Sequence, residues 1–141
     1  MTDETQCDVL VIGSGAGAMV TAVTAAKAGL KVLVVEKAEV FGGTTATSGG
    51  VLWIPGSRHA KTLEARLGKS DSREAVLTYL RQEVGNAWNE ARIQTYLDQG
   101  PRMVDFLEDH TRVRFYPMQF PDYHPELEGG ADFRSIATEN Y

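Results

Sequence analysis

Apolar residues fall into two textures along this chain. Up to about residue 60 they form short unbroken runs, and beyond it they recur at helical spacing. The run "CDVLVIG", 7–13, is rich in β-branched residues and bounded by glycine, which predicts a buried strand. "AGAMVTAVTAAKAG", 16–29, is rich in alanine, lacks proline, and predicts a helix stopped at Gly29. "LKVLVVEK", 30–37, predicts a second buried strand, so the opening residues make a βαβ unit with parallel strands. Further on, "DSREAVLTYLRQEV", 71–84, sets Ala75, Val76, Tyr79, Leu80 and Val84 on one helical face, with Asp71 and Glu74 spaced for a capping box. "NEARIQTYLDQ", 89–99, predicts a helix ended by Gly100, and "PRMVDFLEDH", 101–110, a separate helix opening on proline. "TRVRFYPM" alternates at Val113 and Phe115 in the manner of an edge strand. "QFPDYHPELEGGADFRS", 119–135, with its prolines and paired glycines, predicts a loop.

One short stretch fits neither texture. "VFGGTTATSGGVLWIPG", 40–56, crowds glycine, threonine and serine together and then turns abruptly apolar. Such residues are costly to order on folding, so a bound ligand is the natural reason for them. The first turn says which kind. "VIGSGAGA" supplies Gly13-x-Gly15-x-x-Ala18 after a predicted strand and at the start of a predicted helix. Gly13 permits the tight turn, Gly15 lets the backbone approach a pyrophosphate, and Ala18 allows close helix–strand packing. The phosphates would rest on the helix N-terminus, where free N–H groups and the dipole favour anions. Glu36, at the end of the second strand, is placed to accept ribose hydroxyls, and its charge disfavours a ligand with an extra ribose phosphate. The alternative is a glycine-rich turn serving packing only, with Glu36 as a solvated strand end. Gly42 to Thr45 could donate to a ligand longer than NAD, while Ser48, Gly49 and Gly50 would let the chain pass beneath a flat ring system. A flexible glycine linker is the competing reading, and the apolar "VLWIPG" that follows counts against it.

Composition narrows the remaining classes. Nineteen acidic against fourteen basic side chains give a net charge of −5 and no Lys/Arg run, which argues against nucleic acid as a partner. Cys7 is the single cysteine, so no internal disulfide forms, and it is expected as a small buried residue rather than a reactive thiol. No segment approaches the length of a transmembrane span and the first residues are polar and acidic, so cytoplasmic is the default expectation. His59, His110 and His124 are too scattered for a metal set. His59 and His110 are expected to face solvent, as are the acidic residues at 105, 108 and 109. Trp53 is expected in a core rather than as a cofactor wall.

The order of these segments resembles a known family. Gly13-Ser14-Gly15-Ala16-Gly17-Ala18, Glu36-Lys37, "FGGTTATSGG", "WIPG" and "FPDYHPE" are similar to the fumarate reductase-like flavoprotein superfamily, above all to its 3-ketosteroid Δ1-dehydrogenase branch. The resemblance implies FAD as cofactor. It implies that Gly13, Gly15, Ala16 and Gly17 face the pyrophosphate, that Glu36, followed by Lys37, meets the adenosine ribose, and that Gly43, Thr44, Thr45, Ser48, Gly49 and Gly50 lie along the cofactor towards the flavin. It further implies that Tyr123 borders a 3-ketosteroid and assists a second tyrosine in removing a proton from carbon 2, while the flavin takes the hydride from carbon 1. A phenol of reference pKa about 10 needs such a neighbour to act near neutrality.

The expected fold is therefore α/β: a Rossmann-like FAD-binding βαβ unit with a helical insertion, incomplete relative to the resembled enzymes. Residues 1–60 would hold the βαβ unit and flavin-contacting loop, and 61–141 the helical insertion and substrate-side loop, all as the amino-terminal part of one FAD-binding domain. Two departures stand out. Phe133 precedes Arg134 and Ser135 where the resembled enzymes carry glycine, and the chain is far shorter than they are, so turnover by it alone is not expected. The alternatives are a flavoprotein of this superfamily acting on another small substrate, or a non-catalytic FAD-binding module completed by a second polypeptide.

Overall fold

The computed structural model describes residues 5–139, which divide at Gly50/Val51 into two compact units. In the first, β1 (Val9–Ile12) and β2 (Val32–Val35) pair in parallel, Val9 opposite Val32 and Ile12 opposite Val35, with α1 (Ala16–Lys27) between them in sequence. Both strands are shorter than their apolar runs suggest, although Asp8 N to Lys31 O and Gly13 N to Val35 O extend the pairing at each end. Helix α1 closes as a Schellman motif: Gly29, at φ +85°, donates to Ala26 O and Leu30 donates to Ala25 O. A four-residue helix, α2 (Gly43–Ala46), follows.

Burial corrects the expectation of two buried strands. Val11 is buried, but Leu10 is 53% exposed, Ile12 80% and Val35 39%. Side chains alternate along a strand, and the register puts Leu10 with Leu33 and Ile12 with Val35 on the same face. Helix α1 covers the opposite face alone. An unbroken apolar run is the mark of a strand meant for cover on both sides, and here the described residues supply one.

The second unit builds a three-stranded antiparallel sheet in the order β3-β5-β4, from β3 (Val51–Trp53), β4 (Phe115–Met118) and β5 (Ser135–Thr138). Strand β4 lies at the edge, as its alternation predicts, with Phe115 buried. The central strand β5 has Ser135, Ile136 and Ala137 buried. Three helices complete the unit: α3 (Arg58–Leu67), α4 (Arg73–Val84) and α5 (Glu90–His110). Ser57, fully buried, caps α3 by accepting from Ala60 N, and Gly68 at φ +64° ends it.

Three expectations change here. The N-cap of α4 is Ser72, whose Oγ accepts from Ala75 N, because the Asp71 carboxylate is held instead by Arg134. The helices expected at 89–99 and 101–110 are one: α5 runs through Gly100 and Pro101 without a break. Proline removes one intrahelical bond, yet Leu97, Gly100, Val104 and Leu107 fall on a single buried stripe that spans it. Gly100 itself packs against Ile54, where a Cβ would lie 3.2 Å from Cγ2. Lastly, the acidic face of α5 is not simply solvated. Glu108 accepts from both His59, at 2.9 Å, and the Phe115 amide, and Asp105 and Asp109 hold Arg58. His59 is accordingly half-buried rather than solvent-facing, while His110 is exposed.

Candidate functional site

The first unit assembles its candidate residues around Ser14. This side chain, 4% exposed, donates to Glu36 Oε2 at 2.5 Å and accepts from Gly42 N at 2.8 Å. A single hydroxyl thus ties the glycine turn, the acid at the end of β2 and the start of the glycine–threonine segment together. A second tie runs in parallel: Ala16 N donates to Thr45 Oγ1 at 3.0 Å. Gly13 takes φ +96°, the left-handed region a glycine enters without penalty, and its turn brings the chain into α1. Gly15 is the N-cap of α1 and offers no side chain to cap it, leaving the Gly17 and Ala18 amides without an intrahelical acceptor.

Glu36 is set up to accept. Its Oε1 takes the Ala38 amide at 2.9 Å, and that bond first, with the Ser14 hydroxyl next, holds the carboxyl below its ordinary value. The group is therefore ionised near neutrality, and each carboxylate oxygen retains lone-pair capacity for a ribose hydroxyl. Of the other expected contacts, Gly43, Thr44 and Thr45 form α2 beside this turn, Lys37 is exposed, and Ser48 works locally: its Oγ donates to Thr45 O and accepts from Gly50 N. Ser14 was not singled out from sequence. It occupies a variable place of the glycine motif, and only the fold reveals what its hydroxyl joins.

Two glycines test whether a ligand fits. Gly17 and Gly49 have ordinary backbone angles, and a Cβ built on either meets nothing within 4 Å. Among the described residues nothing requires glycine there. A large ligand lying against the backbone would, and the open amides of α1 with the ionised Glu36 present the chemistry of a pyrophosphate and a ribose. The residues fit a dinucleotide.

The second unit presents the other candidate, Tyr123, at 96% exposure and with no hydrogen-bond partner among the described residues. Its loop is anything but loose. Phe120 N and Asp122 N donate to Asp132 O and Ala131 O, and Leu127 N and Gly130 N close tighter turns within it. Beneath lies a charged cluster: Arg134, 1% exposed, makes paired bonds of 2.7 Å to Asp71 and one of 2.8 Å to Asp122. The other Asp122 oxygen accepts from Trp53 Nε1 at 2.7 Å. The guanidinium also lies 5.8 Å from the ring centres of Trp53 and Tyr79. Burial alone would lower its pKa; the Asp71 and Asp122 carboxylates outweigh burial and hold it above the ordinary arginine value. Trp53 belongs to this cluster, ringed by Tyr79 at 6.0 Å and Tyr96 at 6.5 Å. Burial, and then the hydrogen bond to Glu83, push the Tyr79 phenol up to about 12. Tyr79 is a hydrogen-bonding post and not a proton acceptor. Phe133 is buried, with Lys69 Nζ 5.7 Å from its ring centre. Among the described residues no helix is long and apolar enough to cross a membrane, and no cluster of His, Cys, Asp and Glu could hold a metal.

A βαβ unit with a glycine turn, an open helix N-terminus and an ionised acid after the second strand defines a dinucleotide-binding protein. More narrowly, the chain belongs to the FAD binding domain family, which it matches over residues 8–139, and FAD is the dinucleotide that family binds. It is 46% identical over 124 residues to a 3-oxosteroid 1-dehydrogenase of Mycobacterium tuberculosis, covering 87% of this chain and 21% of the relative. It is 44% identical over 124 residues to a 4-oxocyclohex-2-ene-1-carboxylate 5-dehydrogenase of Sinomonas cyclohexanicum, covering 87% of this chain and 20% of the relative. The crystal structure of 3-ketosteroid Δ1-dehydrogenase from Sterolibacterium denitrificans in complex with 1,4-androstadiene-3,17-dione superposes with a TM-score of 0.84 at 37% identity, over 94% of this chain and 23% of that one. The chain thus spans about a fifth of the length of the relatives it matches. It is an FAD-binding chain similar over most of its length to 3-oxosteroid 1-dehydrogenases and related flavoproteins.

Proposed function

We propose that the protein carrying this chain uses FAD to dehydrogenate a six-membered ring beside its ketone, with a 3-ketosteroid as substrate and carbons 1 and 2 as the site of desaturation. Bound FAD supplies the hydride acceptor. The carbonyl acidifies the neighbouring C2–H, so loss of that proton together with hydride loss from C1 leaves a conjugated double bond. Atoms and electrons balance: one proton leaves to a base and one hydride to the cofactor. In this reading the Tyr123 phenol hydrogen-bonds the group that takes the C2 proton and spreads the developing charge. Gly13, Gly15, Ala16 and Gly17 face the pyrophosphate. Glu36, with Lys37 after it, meets the ribose, and Gly43, Thr44, Thr45, Ser48, Gly49 and Gly50 follow the cofactor towards its flavin. The observation that carries the proposal is Tyr123 itself, a phenol held out from a pinned loop with no hydrogen-bond partner among the described residues.

A second substrate reading has its own support. The 44% identical relative is named for a 4-oxocyclohexene carboxylate, whose ring ketone poses the same chemical problem without the steroid's further rings. A second polypeptide completing the site gains no support from these relatives. The deciding experiment supplies the FAD-loaded protein with a 3-ketosteroid or 4-oxocyclohex-2-ene-1-carboxylate and follows reduction of an artificial electron acceptor. Turnover of the steroid alone supports the first reading, turnover of the carboxylate alone the second. No acceptor reduction with either ketone, while FAD remains bound, rejects both.

A further inference from the structure

The loop that carries Tyr123 is fixed on both sides of that residue, by two separate anchors. On one side stands Asp122, with none of its side chain exposed. Its amide donates to Ala131 O at 2.8 Å, and its carboxylate accepts from Ala131 N at 2.9 Å, from Arg134 and from Trp53. On the other side His124 N donates to Tyr79 Oη at 3.3 Å, and that hydroxyl in turn donates to Glu83 Oε1 at 2.6 Å. Tyr79 is 4% exposed and sits on α4, so this second anchor reaches the loop from a rigid element. The same helix supports the far end of the loop: a Cβ on Gly129 would lie 2.3 Å from Ala75 O, so backbone rests directly on backbone there.

The residue between the anchors gains nothing from them. A loop tyrosine serving the fold would lay its ring on apolar neighbours and wet only its hydroxyl. Tyr123 does neither, since its whole side chain stands in solvent at 96% exposure. The hydrogen bonds fix the backbone on either side of Tyr123, and with it the point from which a nearly fully exposed side chain leaves the loop.

We infer that Tyr79 and Asp122 are positioning residues that fix the loop backbone on either side of Tyr123 and so place its phenol beside the group that takes the C2 proton of the ring-ketone substrate. The inference rests on the function proposed above and adds to it two residues that bind neither cofactor nor substrate. Geometry of this kind matters because a misplacement of about 1 Å at a reacting group can cost up to roughly 100-fold in rate.

The test uses Tyr79→Phe, which removes one hydroxyl and keeps the ring beside Trp53. The FAD-loaded protein is compared as wild type, Tyr79→Phe, Tyr123→Phe and the double variant, with kcat and KM for a 3-ketosteroid and with amide hydrogen exchange at His124 and Ala131. In Tyr79→Phe, His124 exchange should rise about 10-fold while Ala131 holds, kcat should fall about 10-fold and KM should stay within about 2-fold. In the Tyr123→Phe background the Tyr79 change should cost no further activity. If it lowers kcat equally in both backgrounds, or leaves kcat unchanged where Tyr123→Phe lowers it, the positioning role is wrong and the proposed function stands. If Tyr123→Phe is as active as wild type, the role of Tyr123 fails and the inference falls with it; unchanged His124 exchange overturns the anchor whatever the activity shows.

Discussion

Replacing Gly17 with alanine separates a glycine the fold needs from one the ligand needs. Gly17 lies in the first turn of α1 at ordinary helical angles, and a Cβ there meets no atom within 4 Å. For the chain alone, Gly17→Ala therefore removes unfolded-state freedom and adds a better helix former, a gain of about 0.5–1 kcal/mol at most. With the pyrophosphate placed on this turn as proposed, the same methyl enters the space it approaches. Overpacking a close-fitting surface costs about 1–3 kcal/mol, which is roughly a 5- to 150-fold loss of affinity. The two effects have opposite signs, so a general defect cannot mimic the result. Thermal unfolding followed by circular dichroism reads the first, and titration of the apoprotein with FAD by flavin fluorescence reads the second. A variant that is less stable, or one that binds FAD as tightly as wild type, would refute the reasoning that Gly17 is glycine because a ligand lies against it.

Two further perturbations have signs fixed by the structure. Glu36→Gln should weaken FAD by about 10-fold at neutral pH, since a charged acceptor is replaced by a neutral one. The Ala38 amide, and then Ser14, hold the Glu36 carboxyl below its ordinary value of 4.5. The wild-type advantage is then present above that value and lost only as pH falls through the lowered one, so FAD titrations in which the two proteins already agree at about pH 6 contradict the assignment. Arg134→Met leaves the Asp71 and Asp122 carboxylates, 8% and 0% exposed, facing no cation. Removing one partner of a buried pair costs about 3–5 kcal/mol, measured as the urea transition of tryptophan fluorescence; a loss below about 1 kcal/mol means the cluster does not hold the loop. Both tryptophans, Trp53 and Trp88, lie in the second unit, so that signal belongs to it.

What the sequence made legible was the chemistry read by local pattern. Gly13, Gly15, Ala18 and Glu36 stand at spacings that one turn and two strands determine, and the βαβ unit forms around them. What escaped notice depends on partners distant in the chain. Nothing beside Arg134 in the sequence marks it for burial; Asp71 and Asp122, 63 and 12 residues away, are what fold around it. The strands β3 and β5, of three and four residues, carry no periodicity of their own and exist because they pair with each other. Helix α3 had its signals in Ser57 and Gly68, with Ala60 and Leu63 buried between them, but the apolar stripe is narrow. At Pro101 a reliable local rule, that proline after glycine starts a new element, yields to a buried stripe of four residues.

The two units handle their polar groups in contrasting ways, and this bears on which of them waits for something. Across the described residues no buried side-chain nitrogen or oxygen lacks a partner, and the second unit achieves this with a charged cluster closed on itself, every Arg134 bond answered by a carboxylate. The first unit leaves more open. Gly15 offers its helix no side-chain cap, one sheet face leaves Leu10 and Ile12 exposed, and a Cβ on Gly17 or Gly49 would meet no described atom within 4 Å. Yet the bonds of Ser14 and Thr45 already hold the glycine turn and the threonine segment in register. Preorganised donors around open space lower the cost of ordering on binding. That combination, fixed at the glycine turn and bare around it, supports the proposal that the glycines and hydroxyls of residues 40–50 are thin, polar backbone lying along FAD.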